Sequence, residues 1–256
     1  MPARRFALSG VAVVGCAAIV AAQPLSRLKG RVVTAVDGAV AAEIHIEALY
    51  GFRGDDYAGQ RNYTLKADAK GEWALIGFRP GAWAFEAWAD GRVPDAIVLP
   101  INLGAAPSSG VGGDTPAWHP LLRIAPMPQG PSGDLLREAV AAARSRNRQT
   151  MTAALARLAE SNDASVLSAA GRICLAARDA PSARPFFRRA LSRDPELFSA
   201  ALGMASSALM QKDFDTAGTE FAEARKLTTD RDERSYLSAA VADLTKLHIT
   251  WKRTGP

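Results

Sequence analysis

Histidine and cysteine are scarce: three and two of 256 residues. His45, His119 and His248 lie far apart, so no sequence-local zinc motif can be built from them. Two cysteines, Cys16 and Cys174, exclude a disulfide-stapled scaffold. Long apolar runs are missing beyond the N-terminus, which excludes a polytopic membrane protein. Excess charge of one sign is missing too. Lys and Arg number 31 against 26 Asp and Glu, a net charge of +5 in a mixed field, which is a solvated surface and not a nucleic-acid footprint. No Gly-x-Ser-x-Gly elbow, no His-Glu-x-x-His and no phosphate loop occurs, and the Gly110–Gly113 run has no following lysine. What remains is ordinary globular composition, 48% hydrophobic and 22% charged.

The one long apolar run reads as an address. Arg4 and Arg5 precede an uncharged stretch from Phe6 to Ala22, and Val20-Ala21-Ala22 offers small residues for cleavage before Gln23. Residues 1–22 are expected to be a secretory signal peptide. The rivals are an uncleaved anchor, with Arg4 and Arg5 held inside, and lipidation at Cys16 within Val13-Val14-Gly15-Cys16. Each of these places the rest of the chain outside the cytoplasm, in the periplasm or on the outer surface. Membrane contact is then expected only through the N-terminal segment, if it is retained.

From Leu28 to Leu103 the hydrophobic period is two. Ile44 and Ile46 alternate with His45 and Glu47, and Ala82 to Ala89 alternates large with small. Asp37-Gly38, Lys70-Gly71, Pro80-Gly81 and Asp90-Gly91 punctuate these runs as turns. Gly30-Arg31-Val32-Val33, Lys70-Gly71-Glu72-Trp73, Gly77-Phe78-Arg79-Pro80-Gly81 and Trp88-Ala89-Asp90-Gly91 resemble a carboxypeptidase regulatory-like domain. That resemblance implies a seven-stranded β-sandwich over residues 26–126 that is an accessory module without a catalytic site. Trp73, Phe78, Trp83, Phe85 and Trp88 are expected to form its core.

Residues 104–132 are rich in Gly, Pro and Ser, with Trp118 to Ile124 as one further strand of the sandwich and 127–132 as the final linker. From 133 to 249 the period becomes 3.6. Ala183, Phe187 and Ala190 recur 34 residues later as Ala217, Phe221 and Ala224, with Gly171 before and Pro195 after the first set. This spacing resembles a tetratricopeptide repeat. The implied architecture is multidomain β + α, a β-sandwich followed by an α-helical repeat solenoid with a protein-binding groove. Residues 231–249 read as a capping helix.

Cys174 falls on an apolar helix face and reads as a buried thiol. The candidate partner-binding residues fall in two groups. Phe52, Arg53, Tyr57 and Tyr63 belong to an aromatic and arginine-rich insertion from Tyr50 to Tyr63, a composition enriched at interaction hot spots. Arg184, Arg188 and Arg189 form a basic helix face, and Arg172 lies on the preceding helix. No catalytic, cofactor or metal residue is expected. The functional expectation is an exported, non-catalytic scaffold that bridges protein partners through the sandwich and the helical groove, for example as an accessory subunit of a membrane-bound envelope complex. The competing expectation is a glycan or small-ligand module on the sandwich aromatics.

Overall fold

A computed structural model describes residues 27–34, 38–39, 42–51, 62–76, 78, 80–101 and 119–254. The expected signal segment, the insertion residues Phe52, Arg53 and Tyr57, and the Gly-rich stretch up to Trp118 lie outside the described residues.

The N-terminal half is not a seven-stranded sandwich. Among the described residues it forms two small sheets from nine strands: β1 (Arg27–Thr34), β2 (Gly38–Ala39), β3 (Glu43–Gly51), β4 (Asn62–Lys66), β5 (Glu72–Ile76), β6 (Gly81–Trp88), β7 (Arg92–Val93), β8 (Asp95–Ile101) and β9 (Leu121–Pro126). One sheet runs β2-β1-β9-β7, with β5 also on β1, and the other runs β4-β3-β6-β8. The first sheet is mixed, because β9 returns parallel to β1, Arg31 opposite Leu121. The returning strand lies where Trp118 to Ile124 suggested one; the strands that alternation does not show are β2 and β7, of two residues each, and β4. β4 starts at the end of the segment read as insertion, Tyr50 to Tyr63, and runs on to Lys66.

Seven helices follow: α1 (Pro131–Arg144), α2 (Arg148–Leu158), α3 (Ala164–Ala176), α4 (Ala180–Arg193), α5 (Phe198–Met210), α6 (Phe214–Leu227) and α7 (Arg231–Thr254). The pair α5–α6 repeats α3–α4 with the same lengths, 13 and 14 residues, 34 residues further along. Ala183, Phe187, Ala190, Ala217, Phe221 and Ala224 are all fully buried. The Phe187 ring fills the space over two glycines. A Cβ on Gly171 of α3 would lie 2.6 Å from it, and one on Gly203 of α5 would lie 2.3 Å from it. Small residues on two neighbouring helices thus admit one large ring between them.

The two halves share their cores. β8 packs against α3, α5 and α7. β6 and β8 are buried at every position, not alternately. The cause is coverage on both faces. Trp83 and Phe85 point toward Phe78 and Trp73 between the sheets, and the opposite face of the sheet lies under helices. One core cluster joins Ile44, Trp83 and Leu99 to Phe221 and Tyr236, and another joins Trp88 and Ala96 to Leu167 and Phe187. Met127, in the expected linker, is buried in the second of these.

Candidate functional site

Each helix pair closes through the same turn. Arg146, Arg178 and Lys212 take left-handed backbone conformations, with φ of 58°, 60° and 62°. The next residue caps the following helix: Asn147, Asp179 and Asp213 accept from the backbone N–H of Thr150, Ser182 and Thr216. Behind them, the N–H groups of Asn147, Asp179 and Asp213 reach back to Ala142, Cys174 and Ala208 carbonyls at 2.8, 2.9 and 3.0 Å. This is the Schellman arrangement, where glycine is the usual left-handed residue. An L side chain there costs on the order of 1 kcal/mol. A long cation occupies the position in all three turns.

Two of those cations dock on the sheet. The Arg178 Nε donates to Glu47 Oε2 on β3 at 2.7 Å, and its guanidinium also pairs with Glu86 on β6. Lys212 Nζ stands over the Tyr50 ring of β3, 5.0 Å from its centre, while the Tyr50 hydroxyl donates to the Leu209 carbonyl. The third, Arg146, is exposed and makes no ion pair or side-chain hydrogen bond among the described residues. It lines an open cleft of about 760 Å³ instead.

The sheet wall of that cleft carries Glu43, His45, Glu47, Asn62, Tyr63, Thr64, Glu86 and Trp88, and the helix wall carries Arg144, Arg146, Arg148 and Arg178. In-register pairing sets the sheet wall, since His45 lies opposite both Thr64 and Glu86. Most of its charges are partnered locally. Glu43 meets His45 at 2.5 Å, Arg144 meets Asp90 at 3.2 Å, and Arg148 meets Asp179 at 3.4 Å. Arg144 also covers the Trp88 ring, whose Nε1 donates to Glu86 at 3.0 Å. Burial pushes the Glu86 carboxyl above its usual value, and the Arg178 guanidinium, the Trp88 N–H and His45 only partly oppose this.

The face presented by α3 and α5 is occupied within the chain. Ser206 Oγ accepts from the Val98 N–H of β8 at 3.1 Å. Arg172 is 7% exposed; its guanidinium donates to the Pro94 and Val93 carbonyls at 3.0 and 3.4 Å and lies 3.5 Å from Asp95. Arg172 therefore ties α3 to the β7–β8 junction and offers nothing to a partner. The groove expected to receive a partner on this face holds β8, which covers the backbone edge of a sheet-end strand.

The other expected residues are spread out. Tyr63 sits on β4, stacked on Trp83 at 6.4 Å, and lines the cleft. Arg184, Arg188 and Arg189 sit on α4 and do not line it. Arg189 holds both Glu160 oxygens at 3.0 and 3.1 Å, Arg184 lies 3.9 Å from Asp213, and Arg188 is exposed. Trp73, Phe78, Trp83, Phe85 and Trp88 are all buried, so none presents an open ring face for a glycan. Cys174 is buried, and burial, with Asp179 nearby, pushes its thiol up to about 12, far from thiolate chemistry. Among the described residues, no three His, Cys, Asp or Glu side chains assemble as a metal-binding group, and no helix is long and apolar enough to cross a membrane.

Sequence reasoning missed Arg146 and Arg178. Their signal was present, since Arg178-Asp179 and Lys212-Asp213 recur at the 34-residue interval and Arg146-Asn147 precedes them. No family model matches the chain, and neither does any curated protein or solved structure.

Proposed function

We propose that this protein is an exported, non-catalytic interaction scaffold whose partner surface is the cleft between β3–β4 and the first helix turns. The observation that carries the reading is the uneven use of one repeated cation. Arg178 and Lys212 are consumed by contacts to the chain's own sheet, whereas Arg146 faces an open cleft. The cost of a left-handed arginine without an internal partner is consistent with a role toward something outside the chain.

Export follows from the N-terminal address, Arg4-Arg5 before the apolar run to Ala22. The 34-residue spacing that resembles tetratricopeptide repeats supports binding without catalysis. The basic α4 face is the weaker surface, because Glu160 and Asp213 already offset two of its arginines. The bridging role narrows accordingly, with the cleft as the docking surface and α3 and α5 engaged internally.

The test is recovery of the protein from gently solubilised envelope at low salt. A defined partner should co-purify, and Arg146→Glu with Arg148→Glu should reduce its yield. Recovery as a free monomer under the same conditions overturns the reading.

A further inference from the structure

We infer that β4 is an acceptor edge for one extended, acidic segment of the partner, which adds to the sheet as a further strand. This rests on the reading above and names the partner's chemistry. Within the four-stranded sheet, β8 at one end is covered by helices, while β4 at the other end pairs, among the described residues, with β3 alone. Its second row of N–H and C=O groups is a template for another strand.

The two faces of β4 set the side chains that such a strand needs. Tyr63 and Leu65 are half-buried and pack on the core. Asn62, Thr64 and Lys66 are exposed on the other face, where the first two line the cleft with Arg146 and Arg148. An added strand alternates between these faces. One set of its residues meets Tyr63 and Leu65 and should be apolar. The other set lies beside Lys66 and turns toward the cleft that Arg146 lines without an ion pair among the described residues, and should be acidic. Of the carboxylates one strand further in, Glu47 is already engaged by Arg178 and Glu43 lies opposite Lys66 in the sheet. A basic segment would meet Lys66 on the edge itself and Arg146 across the cleft and is disfavoured.

The probe is a fluorescein-labelled heptapeptide of alternating Glu and Val, titrated with the full mature protein and followed by anisotropy. Saturable binding is expected, with slower hydrogen exchange at the amides of residues 62–66. The Lys/Val counterpart should bind at least about tenfold more weakly. Arg146→Gly is the informative variant. Glycine suits the left-handed turn, so this protein should melt no lower than the parent and yet lose about tenfold in peptide affinity. The inference is overturned if the acidic peptide does not bind, if Arg146→Gly binds it equally, or if protection falls outside β4. Peptide failure alongside co-purification of a partner removes the strand mode and leaves the scaffold. Absence of both removes the scaffold itself.

Discussion

The ring of Phe187 rests on the backbone of Gly171, where a Cβ would lie only 2.6 Å away. α3 and α4 meet at this contact, and Gly203 brings α5 onto the same ring. Phe187→Ala should cost roughly 3–5 kcal/mol, as deletion of a buried aromatic does. Gly171→Ala should cost less, about 1–3 kcal/mol, because the ring can shift only partly. Urea denaturation checks both, and a parent-like midpoint for Phe187→Ala would place the ring elsewhere.

Arg172→Ala should destabilise the whole protein and not a partner contact alone. It leaves Asp95 buried beside two backbone carbonyls with their donor removed. Breaking one side of a buried pair costs about 3–5 kcal/mol. Because β8 is shared between sheet and helices, strand and helix signals should be lost together. Thermal melts followed at near- and far-ultraviolet wavelengths test this, and two separate transitions would contradict it.

Glu86 sets a pH dependence with a definite sign. Its folded-state carboxyl titrates above the ordinary 4.5, chiefly through burial. Between those two values the folded chain holds a proton that the unfolded chain has released. Its contribution is therefore fully present below pH 4.5 and is lost as pH rises through the folded value. Glu86→Gln keeps an acceptor for the Trp88 N–H and removes the titration. The difference in melting temperature, parent minus variant, should fall as pH is raised from 4.5 toward neutrality. A difference that rises over that range would reverse the assignment.

The sequence carried the helical register well. The 34-residue recurrence of Ala183, Phe187 and Ala190 is a core pattern, and core patterns survive in local sequence because each helix must bury one face. The division into strand-rich and helix-rich halves was equally legible from the change of period. Strand count was not, since β2 and β7 have only two residues each, too short for any period, and β4 starts inside the segment read as an insertion. The cleft was less legible still. Glu43, Glu47 and Glu86 look like ordinary solvent-facing strand residues until the helix turns arrive above them. Arg172 misled because a surface arginine and a buried tie share the same helical position in sequence.

The proposed partner surface is the cleft between β3–β4 and the first helix turns. A photo-reactive amino acid placed at position 146, and separately at position 188 on the exposed α4 face, compares the two surfaces in the exporting cell. A discrete covalent adduct is expected from position 146 and none from position 188. An adduct from 188 with none from 146 would contradict the proposal.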